Sequence, residues 1–197
     1  MSTIGAVILA AGASSRFGRS KQIAVYLGEP LVRRVLVAAV QAGSSPIAVV
    51  AGEGAGAIGS HLSGLPYDLV LNERWHEGIA SSVRAGVQHL IARTEKLKAI
   101  VILACDQPFV DAHTVRQLID LHQESGKAIA ACGYGGTVGI PAVFACSRFH
   151  ALLELEGDHG AKALIIAQPD DLATLDFPDG AIDIDTPADY QRLIAAN

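Results

Sequence analysis

The sequence predicts an α/β fold, a three-layer sandwich built on a mostly parallel sheet. Short apolar runs alternate with segments of helical periodicity along the whole 197-residue chain, which is the pattern of strands joined by crossover helices. The runs at 4–10, 47–51 and 99–104 are almost wholly apolar, as is typical of strands that helices cover on both faces. Half of the residues are hydrophobic, so the chain can bury one sizeable core, and we expect a single domain over residues 1–197.

Turn and cap residues divide this pattern into elements. Gly43 ends the first helix, Ser81 and Ser82 favour a capped start for the third, and Asp111 caps the fourth. The segment Thr186–Asp189 reads as a capping box with proline at the first helical position. Strands are predicted at 4–10, 47–51, 68–71, 99–104, 127–132 and 181–184. Helices are predicted at 31–42, 55–62, 81–93, 111–122, 147–155 and 160–167 and after 186, with a glycine-rich loop at 133–141.

Charge and cysteine content exclude several function classes. The formal net charge is −5, and the lysines and arginines are scattered, so we expect neither nucleic acid nor a membrane as a partner. No apolar stretch is long enough to span a membrane and no secretory signal precedes the first strand, which predicts a cytoplasmic protein. Cys105, Cys132 and Cys146 lie far apart without a C-x-x-C pair, which argues against a structural zinc site or a disulfide framework.

The segment from Leu9 to Lys21, LAAGASSRFGRSK, has the composition of a phosphate-binding loop. Small residues follow the first strand, and Gly12 permits a tight turn whose peptide N–H groups can converge on an anion. Arg16 and Lys21 add two positive charges just beyond that turn. The spacing fits neither a Walker A loop nor the dinucleotide fingerprint, so the loop predicts a polyphosphate clamp of another type.

Two aspartates are predicted to reach the same crevice as this loop. Asp106 follows the buried strand at 99–104, and Asp185 follows the last predicted strand but lies outside the capping box. Ligands of open α/β sheets bind beyond the carboxyl ends of the strands, and one or two carboxylates with phosphate oxygens and water suit Mg²⁺. The alternatives are that Asp106 merely caps a turn and that Asp185 is purely structural.

The loop resembles a nucleotidyltransferase signature, L-A-[AG]-G-x-S-x-R-x-G-x-x-K. The matching positions are Leu9, Ala10, Ala11, Gly12, Ser14, Arg16, Gly18 and Lys21. Five further segments of this chain resemble segments of the same family. They are Trp75–Gly86, Cys105–Pro108, Gly139–Pro141, Gly157–Lys162 and Asp183–Pro187. Together they are similar to the molybdenum cofactor cytidylyltransferases, which are nucleotidyltransferases of the molybdopterin-dinucleotide type. The resemblance implies a Rossmann-like nucleotidyltransferase fold with a nucleotide-binding half at about 1–110 and an acceptor-binding half at about 111–197.

The resemblance also assigns roles. Catalytic residues would be Arg16, Lys21 and Asp106, with Arg16 on the β- and γ-phosphates and Lys21 on the α-phosphate. Asp106 and Asp185 would hold Mg²⁺. The nucleotide would contact Leu9, Ala10, Ala11, Gly12, Ala13, Ser14, Arg16, Lys21, Gly78 and Ser82. The acceptor would contact Gly139, Pro141, Asp158 and Lys162, although Asp158 has the alternative role of a helix cap and Lys162 replaces the family's usual arginine, which loses a bidentate contact.

The implied reaction joins CMP from CTP to the phosphate of molybdopterin cofactor and releases pyrophosphate. Ala11 favours CTP, since the guanylyltransferase relatives tend to have glycine at this position. Alternatives are the same chemistry with GTP or with another acceptor, such as methylerythritol phosphate or a sugar phosphate, and a non-catalytic nucleotide-binding protein. A molybdoenzyme or its chaperone stays open as a transient partner.

Overall fold

A computed structural model describes residues 3–12, 17 and 20–195 of the chain. The strands are β1 (Thr3–Ala10), β2 (Val25–Tyr26), β3 (Glu29–Pro30), β4 (Ile47–Ala51), β5 (Asp68–Leu71), β6 (Leu97–Ala104), β7 (Ile129–Tyr134), β8 (Thr137–Ala145) and β9 (Leu172–Asp176). The α-helices are α1 (Leu31–Gln41), α2 (Ala55–Ser60), α3 (Ile79–Arg93), α4 (Ala112–Ser125), α5 (Phe149–Leu153), α6 (Ala161–Ile166) and α7 (Pro187–Ala195).

The described strands form a seven-stranded sheet in the order β5-β4-β1-β6-β8-β7-β9, beside a separate β2–β3 ribbon. Strand β8 pairs antiparallel with β6 and β7, and the other pairings of the large sheet are parallel. Strands β1 and β6 lie side by side inside the sheet, so the loop after β1 and the turn after β6 leave it at the same edge. The predicted fold class, a mostly parallel α/β sandwich, is confirmed.

The two faces of the sheet carry separate apolar cores. Along β1, Ala6 and Ile8 contribute to one core and Val7 and Leu9 to the other, as the two-residue period of a strand requires. Helices α1 and α4 cover the first face, and α3, α5 and α6 cover the second. A third apolar cluster joins α7 to the β2–β3 ribbon, where the Tyr190 hydroxyl donates a hydrogen bond to the Val25 carbonyl at 2.6 Å.

Three segments after residue 127 differ from the sequence-based prediction. The segment 133–141 is not a loop but the turn and first part of a β-hairpin between β7 and β8. Gly135 and Gly136 form the turn with φ values of 58° and 74°, the left-handed geometry that a two-residue hairpin requires. Strand β9 was not predicted, and the strand predicted at 181–184 is wrong. That segment follows a 3-10 turn, Pro178–Ala181, and Ile184 N donates to the Asp106 carbonyl at 2.9 Å.

Within the described ranges, none of the helices has both the length and the apolar composition that crossing a bilayer would need.

Gly86 of α3 provides a test of how tightly the helix layer packs on the sheet. A Cβ at this position would lie 2.5 Å from Val7 Cγ1 and 2.9 Å from Val50 Cγ2. We expect Gly86→Ala to lower the free energy of unfolding by about 1–3 kcal/mol, because overpacking a filled core costs more than helix propensity gains. Urea unfolding followed by circular dichroism measures the change.

The matched control is Gly56→Ala in the exposed helix α2. A Cβ there would meet nothing within 4 Å, so the substitution should raise stability by up to about 1 kcal/mol. A neutral or stabilising Gly86→Ala would contradict the packing described for α3.

Candidate functional site

A buried ammonium group joins two aspartates at the carboxyl edge of the sheet. Lys21 Nζ donates to Asp106 Oδ2 and to Asp185 Oδ1, each at 2.8 Å. The Lys21 side chain is only 11% exposed, whereas that of Asp185 is 43% exposed. Burial lowers the pKa of Lys21, but the negative charge of Asp106 and the hydrogen bonds to both carboxylates outweigh it and raise that pKa above its usual value. Lys21 is therefore a fixed positive charge.

Local structure explains why these three side chains meet. Asp106 lies two residues past the end of β6, and the bond from Ile184 N to its carbonyl holds the segment before α7 against it. The predicted capping box is present, since Thr186 N donates to Asp189 Oδ2 at 2.7 Å and Asp189 N donates to Thr186 Oγ1 at 3.2 Å. Asp189 therefore caps α7, whereas the carboxylate of Asp185 contacts Lys21.

We call the depression above this ion cluster the site cavity; it has a volume of about 340 Å³. Leu9 lines it at the end of β1, and Ala11 and Gly12 line it just after that strand. Lys21 and Gln22 form one side, and Ala104, Cys105 and Asp106 form another. The segment leading into α3 and its first turn contribute Trp75, His76, Gly78, Ile79 and Ser82. Asp158, in the turn between α5 and α6, completes the lining.

The structure thus brings together most of the described residues that the sequence selected. Those that line the site cavity are Leu9, Ala11, Gly12, Lys21, Gly78, Ser82, Asp106 and Asp158. Ala10 lies in an adjacent cavity, and Asp185 is connected through Lys21. Gly139 and Pro141 lie in β8, and Lys162 is exposed on α6; none of the three is part of this cavity lining. The predictions for Ala13, Ser14 and Arg16 fall outside the described residues.

Gly78 lies where the start of α3 contacts the turn between α5 and α6. It has a φ of +106°, and a Cβ there would lie 2.3 Å from the Gly157 carbonyl oxygen and 2.7 Å from Asp158 Oδ1. The same Gly157 carbonyl accepts a hydrogen bond from Ala80 N at 3.1 Å. Only glycine allows this conformation and this approach together. Asp158 does not cap α6, whose N-cap is Gly160 without a side-chain bond, so its carboxylate stays at the cavity.

The serines at the start of α3 do not cap the helix as predicted. The helix begins two residues earlier, after Gly78, and Ser81 Oγ donates to the Gly78 carbonyl at 2.8 Å. The buried Asn72 side chain orients both hydroxyls, because its Nδ2 donates to Ser81 Oγ at 2.9 Å and to Ser82 Oγ at 3.0 Å. Ser82 Oγ accepts from Asn72 and can therefore turn its own proton towards a ligand in the cavity.

Sequence reasoning missed several residues of the cavity wall. Trp75 and His76 lie in a segment that resembles the family, but neither residue is assigned a role there, and Gln22 carries no prediction. Gln22 is 3% exposed, and its Nε2 donates to the Gly12 carbonyl at 2.7 Å. Its position directly after Lys21 could have indicated that Gln22 lies at the same site.

Cys105 lines the cavity but is not equipped as a nucleophile. It is buried, and burial together with the adjacent negative charge of Asp106 raises the pKa of its thiol well above the usual range. A nucleophilic cysteine needs the opposite shift. The structure thus agrees with the sequence, which placed no histidine base beside Cys105.

The donor set fits a divalent cation that also binds phosphate. Two carboxylate oxygens converge on one cationic centre, the ammonium of Lys21, and a metal ion requires the same convergence. Among the described residues, no three His, Cys, Asp or Glu side chains group so as to hold a metal by themselves. Mg²⁺ does not need such a group, because it keeps several waters and takes substrate phosphates as ligands. Near this centre, burial and then the charges of Asp106 and Asp185 raise the pKa of Asp183 to about 6.

Gln107 connects the turn after β6 to β8 and to the 3-10 turn Pro178–Ala181. Its Nε2 donates to the carbonyls of Ile140 and Gly180, each at 3.1 Å. We expect Gln107→Leu to lower the free energy of unfolding by about 1–3 kcal/mol, because the buried Gly180 carbonyl loses its donor.

Tyr134→Phe is the matched control for Gln107→Leu. The Tyr134 hydroxyl donates to the Ile140 carbonyl at 2.8 Å, and that carbonyl keeps Gln107 as a donor when the hydroxyl is removed. Chemical unfolding should show a smaller loss for Tyr134→Phe. Equal losses would mean that Gln107 does not hold the Gly180 turn.

Comparison with known families agrees with this geometry. The family model described as the MobA-like NTP transferase domain matches residues 6–172, which include Lys21, Gly78, Asp106 and Asp158. The chain belongs to this family. It is thus a member of the nucleotidyltransferases that the loop motif indicates, and the resemblance drawn from the sequence is confirmed at this level.

Relatives cover nearly the whole chain. Nicotine blue oxidoreductase of Paenarthrobacter nicotinovorans is 29% identical over 95% of both chains. Purine catabolism protein PucB of Bacillus subtilis (strain 168) is 28% identical over 95% of this chain and 94% of its own. The crystal structure of Rv0371c from Mycobacterium tuberculosis H37Rv is 31% identical, with a TM-score of 0.81 over 98% of both chains. A further structure of Rv0371c, with 30% identity and a TM-score of 0.76 over 98% of both chains, is a complex with manganese.

Proposed function

We propose that the protein is a Mg²⁺-dependent cytidylyltransferase that joins CMP from CTP to the phosphate of molybdopterin cofactor. The observation that carries the proposal is the contact of Lys21 with Asp106 and Asp185 beside a loop of the nucleotidyltransferase type. The proposed cation site and the proposed phosphate site then meet at Lys21 and Asp106, which line one cavity. The complex of Rv0371c with manganese supports a divalent ion in this family.

The reaction exchanges one phosphoanhydride for another. An oxygen of the molybdopterin phosphate attacks the α-phosphorus of CTP, the bond from that phosphorus to the oxygen bridging to the β-phosphate breaks, and pyrophosphate leaves with the electron pair. The attacking phosphate is already anionic, so no general base is needed. Positioning and charge stabilisation therefore supply most of the catalysis.

Lys21 is proposed to change partners when the nucleotide binds. In the structure its ammonium neutralises Asp106 and Asp185. Mg²⁺ would be held by these two carboxylates and would neutralise phosphate oxygens when bound. Lys21 would then contact the α-phosphate, where charge develops during transfer. In the structure, the contacts with Asp106 and Asp185 raise its pKa and keep it protonated. Arg16 is assigned to the β- and γ-phosphates from the motif.

The base and acceptor assignments rest on the cavity walls. Ala11, Gly78 and Ser82 line one region of the site cavity, and the Ser82 hydroxyl, oriented by Asn72, is available to a cytosine. Asp158 lies at the edge that faces the acceptor half. Lys162, exposed on α6, Gly139 and Pro141 remain the proposed contacts of the pterin side.

Pyrophosphate release tests the proposal directly. The purified protein is given Mg²⁺ with CTP, GTP, ATP or UTP in turn, each with and without molybdopterin. We expect release with CTP and molybdopterin together and with no other combination. Release with GTP in place of CTP would refute the base assignment. Turnover of CTP with methylerythritol phosphate or a sugar phosphate alone would refute the acceptor assignment.

One further outcome follows from the name of a relative. Because a protein similar over its whole length is called nicotine blue oxidoreductase, the same preparation should be assayed for NADH and NADPH oxidation with an electron-accepting dye. Oxidation of either coenzyme without nucleotide turnover would refute the transferase proposal. Binding of CTP with neither activity would instead favour a non-catalytic nucleotide-binding protein, and a molybdoenzyme or its chaperone would then be the partner to test.

A further inference from the structure

The turn between α5 and α6 brings Asp158 to the site cavity, and we call residues 154–160 the Asp158 turn. Leu155 packs against the core that α3 covers, but residues 156–159 are exposed to solvent. Within the turn, His159 N donates to the Glu156 carbonyl at 3.2 Å. Since so few apolar contacts hold this segment, the position of Asp158 depends on the polar contacts that the turn makes with its neighbours.

Helix α3 makes such contacts along one side of the Asp158 turn. Ala80 N donates to the Gly157 carbonyl at 3.1 Å, and the Arg84 guanidinium donates to the Leu155 carbonyl through Nη1. The two donors lie four positions apart on α3 and therefore on the same face of the helix. Their acceptors lie two positions apart in the turn, so the bonds fix the backbone directly before Asp158.

Arg84 also connects this turn to the segment that precedes α3. Its Nη2 lies 3.6 Å from Glu77 Oε2, and Glu77 is the last residue of the 3-10 turn Trp75–Glu77. The side chain of Arg84 is 25% exposed and that of Glu77 is 35% exposed, so water screens this ion pair less than it screens a fully exposed one. Arg84 is not part of the lining of the site cavity. One guanidinium outside the cavity therefore joins two segments that line it.

We propose that Arg84 is a positioning residue, which places Asp158 for the acceptor by holding the Asp158 turn against α3 and Glu77. This inference rests on the proposed function, because it takes Asp158 as a contact of the acceptor. A guanidinium suits this task, since its planar fork can donate in two directions at once. The nucleotide side does not depend on it, because Asn72 holds the Ser82 hydroxyl.

The test compares the wild type with Arg84→Met in the pyrophosphate-release assay. We expect the KM for molybdopterin to rise about tenfold or more, because the Leu155 carbonyl loses a hydrogen bond from a charged donor and the Asp158 turn shifts. The Kd of CTP, measured by calorimetry with Mg²⁺, should stay within about twofold of the wild-type value.

Arg84→Lys separates position from charge. A lysine keeps the positive charge, but its single nitrogen cannot donate in two directions as the guanidinium does. We expect the KM for molybdopterin to remain raised in Arg84→Lys, although less than in Arg84→Met. Arg84→Lys is also the variant that decides if Arg84→Met does not fold.

Arg93→Met is the matched control. Arg93 is the last residue of α3, and its Nε lies 2.9 Å from Asp68 Oδ2, so the substitution removes an ion pair from the same helix. Neither Arg93 nor Asp68 is part of the lining of the site cavity. The KM for molybdopterin should therefore match the wild-type value.

A double-mutant cycle distinguishes positioning from a general loss of stability. If Arg84 acts through Asp158, Arg84→Met should have little further effect on the KM for molybdopterin in a protein that already carries Asp158→Asn. Hydrogen exchange followed by mass spectrometry gives a readout that needs no acceptor. Amides of residues 153–160 should exchange faster in Arg84→Met than in the wild type, and at the wild-type rate in Arg93→Met.

The outcomes separate this inference from the proposed function. If the wild type transfers CMP and the KM for molybdopterin is unchanged in a folded Arg84→Met, the inference is overturned alone. Full recovery of the KM in Arg84→Lys would overturn it by showing that only the charge matters, and so would an equal effect of Arg84→Met with and without Asp158→Asn. If the wild type transfers CMP only to another acceptor, the acceptor assignment fails and the same KM comparison with that acceptor decides the inference. If the wild type transfers no CMP, both fail.

Discussion

Asp106→Asn is expected to lower kcat for CMP transfer by at least about 100-fold, while the fold is retained. The substitution keeps the shape of a side chain that lies 2.8 Å from Lys21 Nζ, but it removes the charge proposed to hold Mg²⁺. Metal ligation stabilises the transition state by several kcal/mol, and each 1.36 kcal/mol is tenfold in rate. Steady-state pyrophosphate release at saturating Mg²⁺ measures the loss, and electron paramagnetic resonance of Mn²⁺ with CTP measures metal affinity independently.

Asp120→Asn is the matched control for Asp106→Asn. It makes the same chemical change on the exposed surface of α4, so activity and Mn²⁺ affinity should match the wild type. Unchanged turnover of Asp106→Asn at saturating Mg²⁺ would show that Asp106 is not a metal ligand.

Lys21→Met should lower turnover but raise the affinity of the free protein for Mn²⁺. Turnover should drop by about 10²- to 10³-fold, because a positive charge aimed at the developing negative charge is lost. Affinity for Mn²⁺ without nucleotide should increase, because the ammonium that competes for Asp106 and Asp185 is gone. Metal titration of the free protein and kinetics with CTP measure the two effects.

The pH dependence of stability gives a check on the Lys21 contacts. Since the folded-state pKa of Lys21 is raised above 10.5, its contribution to the free energy of unfolding is fully present below pH 10.5 and is lost as the pH rises further. The stability difference between wild type and Lys21→Met should therefore not decrease from pH 7 to 9. A difference that decreases across this interval, or weaker Mn²⁺ binding by Lys21→Met, would contradict the ion cluster described here.

Elements with strong local signals could be predicted from the sequence. Strands β4 and β5 lie at the predicted residues, and α1 ends where Gly43 takes a positive φ. The cap at Asp111 and the capping box at Thr186 are also present. Such signals come from residues close in the chain, where hydrophobic runs and cap side chains determine the conformation with little help from tertiary contacts.

Elements without a local signal could not be predicted. Strand β8 contains glycine and proline and reads as a loop, and only its pairing with β6 and β7 makes it a strand. Residues 181–184 have the apolar alternation of a strand but do not pair with any of the described strands. The motifs indicated which residues form the site, but not that Lys21 would contact Asp106 and Asp185, which are 85 and 164 positions away. The contact of Trp75 with Gly52 likewise has no local pattern that connects the two residues.

The transfer of an α-³²P label from CTP tests the central claim most directly. The protein, Mg²⁺, molybdopterin and α-labelled CTP are incubated together, and the products are separated. We predict that the label appears in a molybdopterin–CMP conjugate in amounts equal to the unlabelled pyrophosphate released, and that neither forms with Asp106→Asn. Label that remains in CTP, or that is released only as free CMP, would contradict nucleotidyl transfer to molybdopterin at this site.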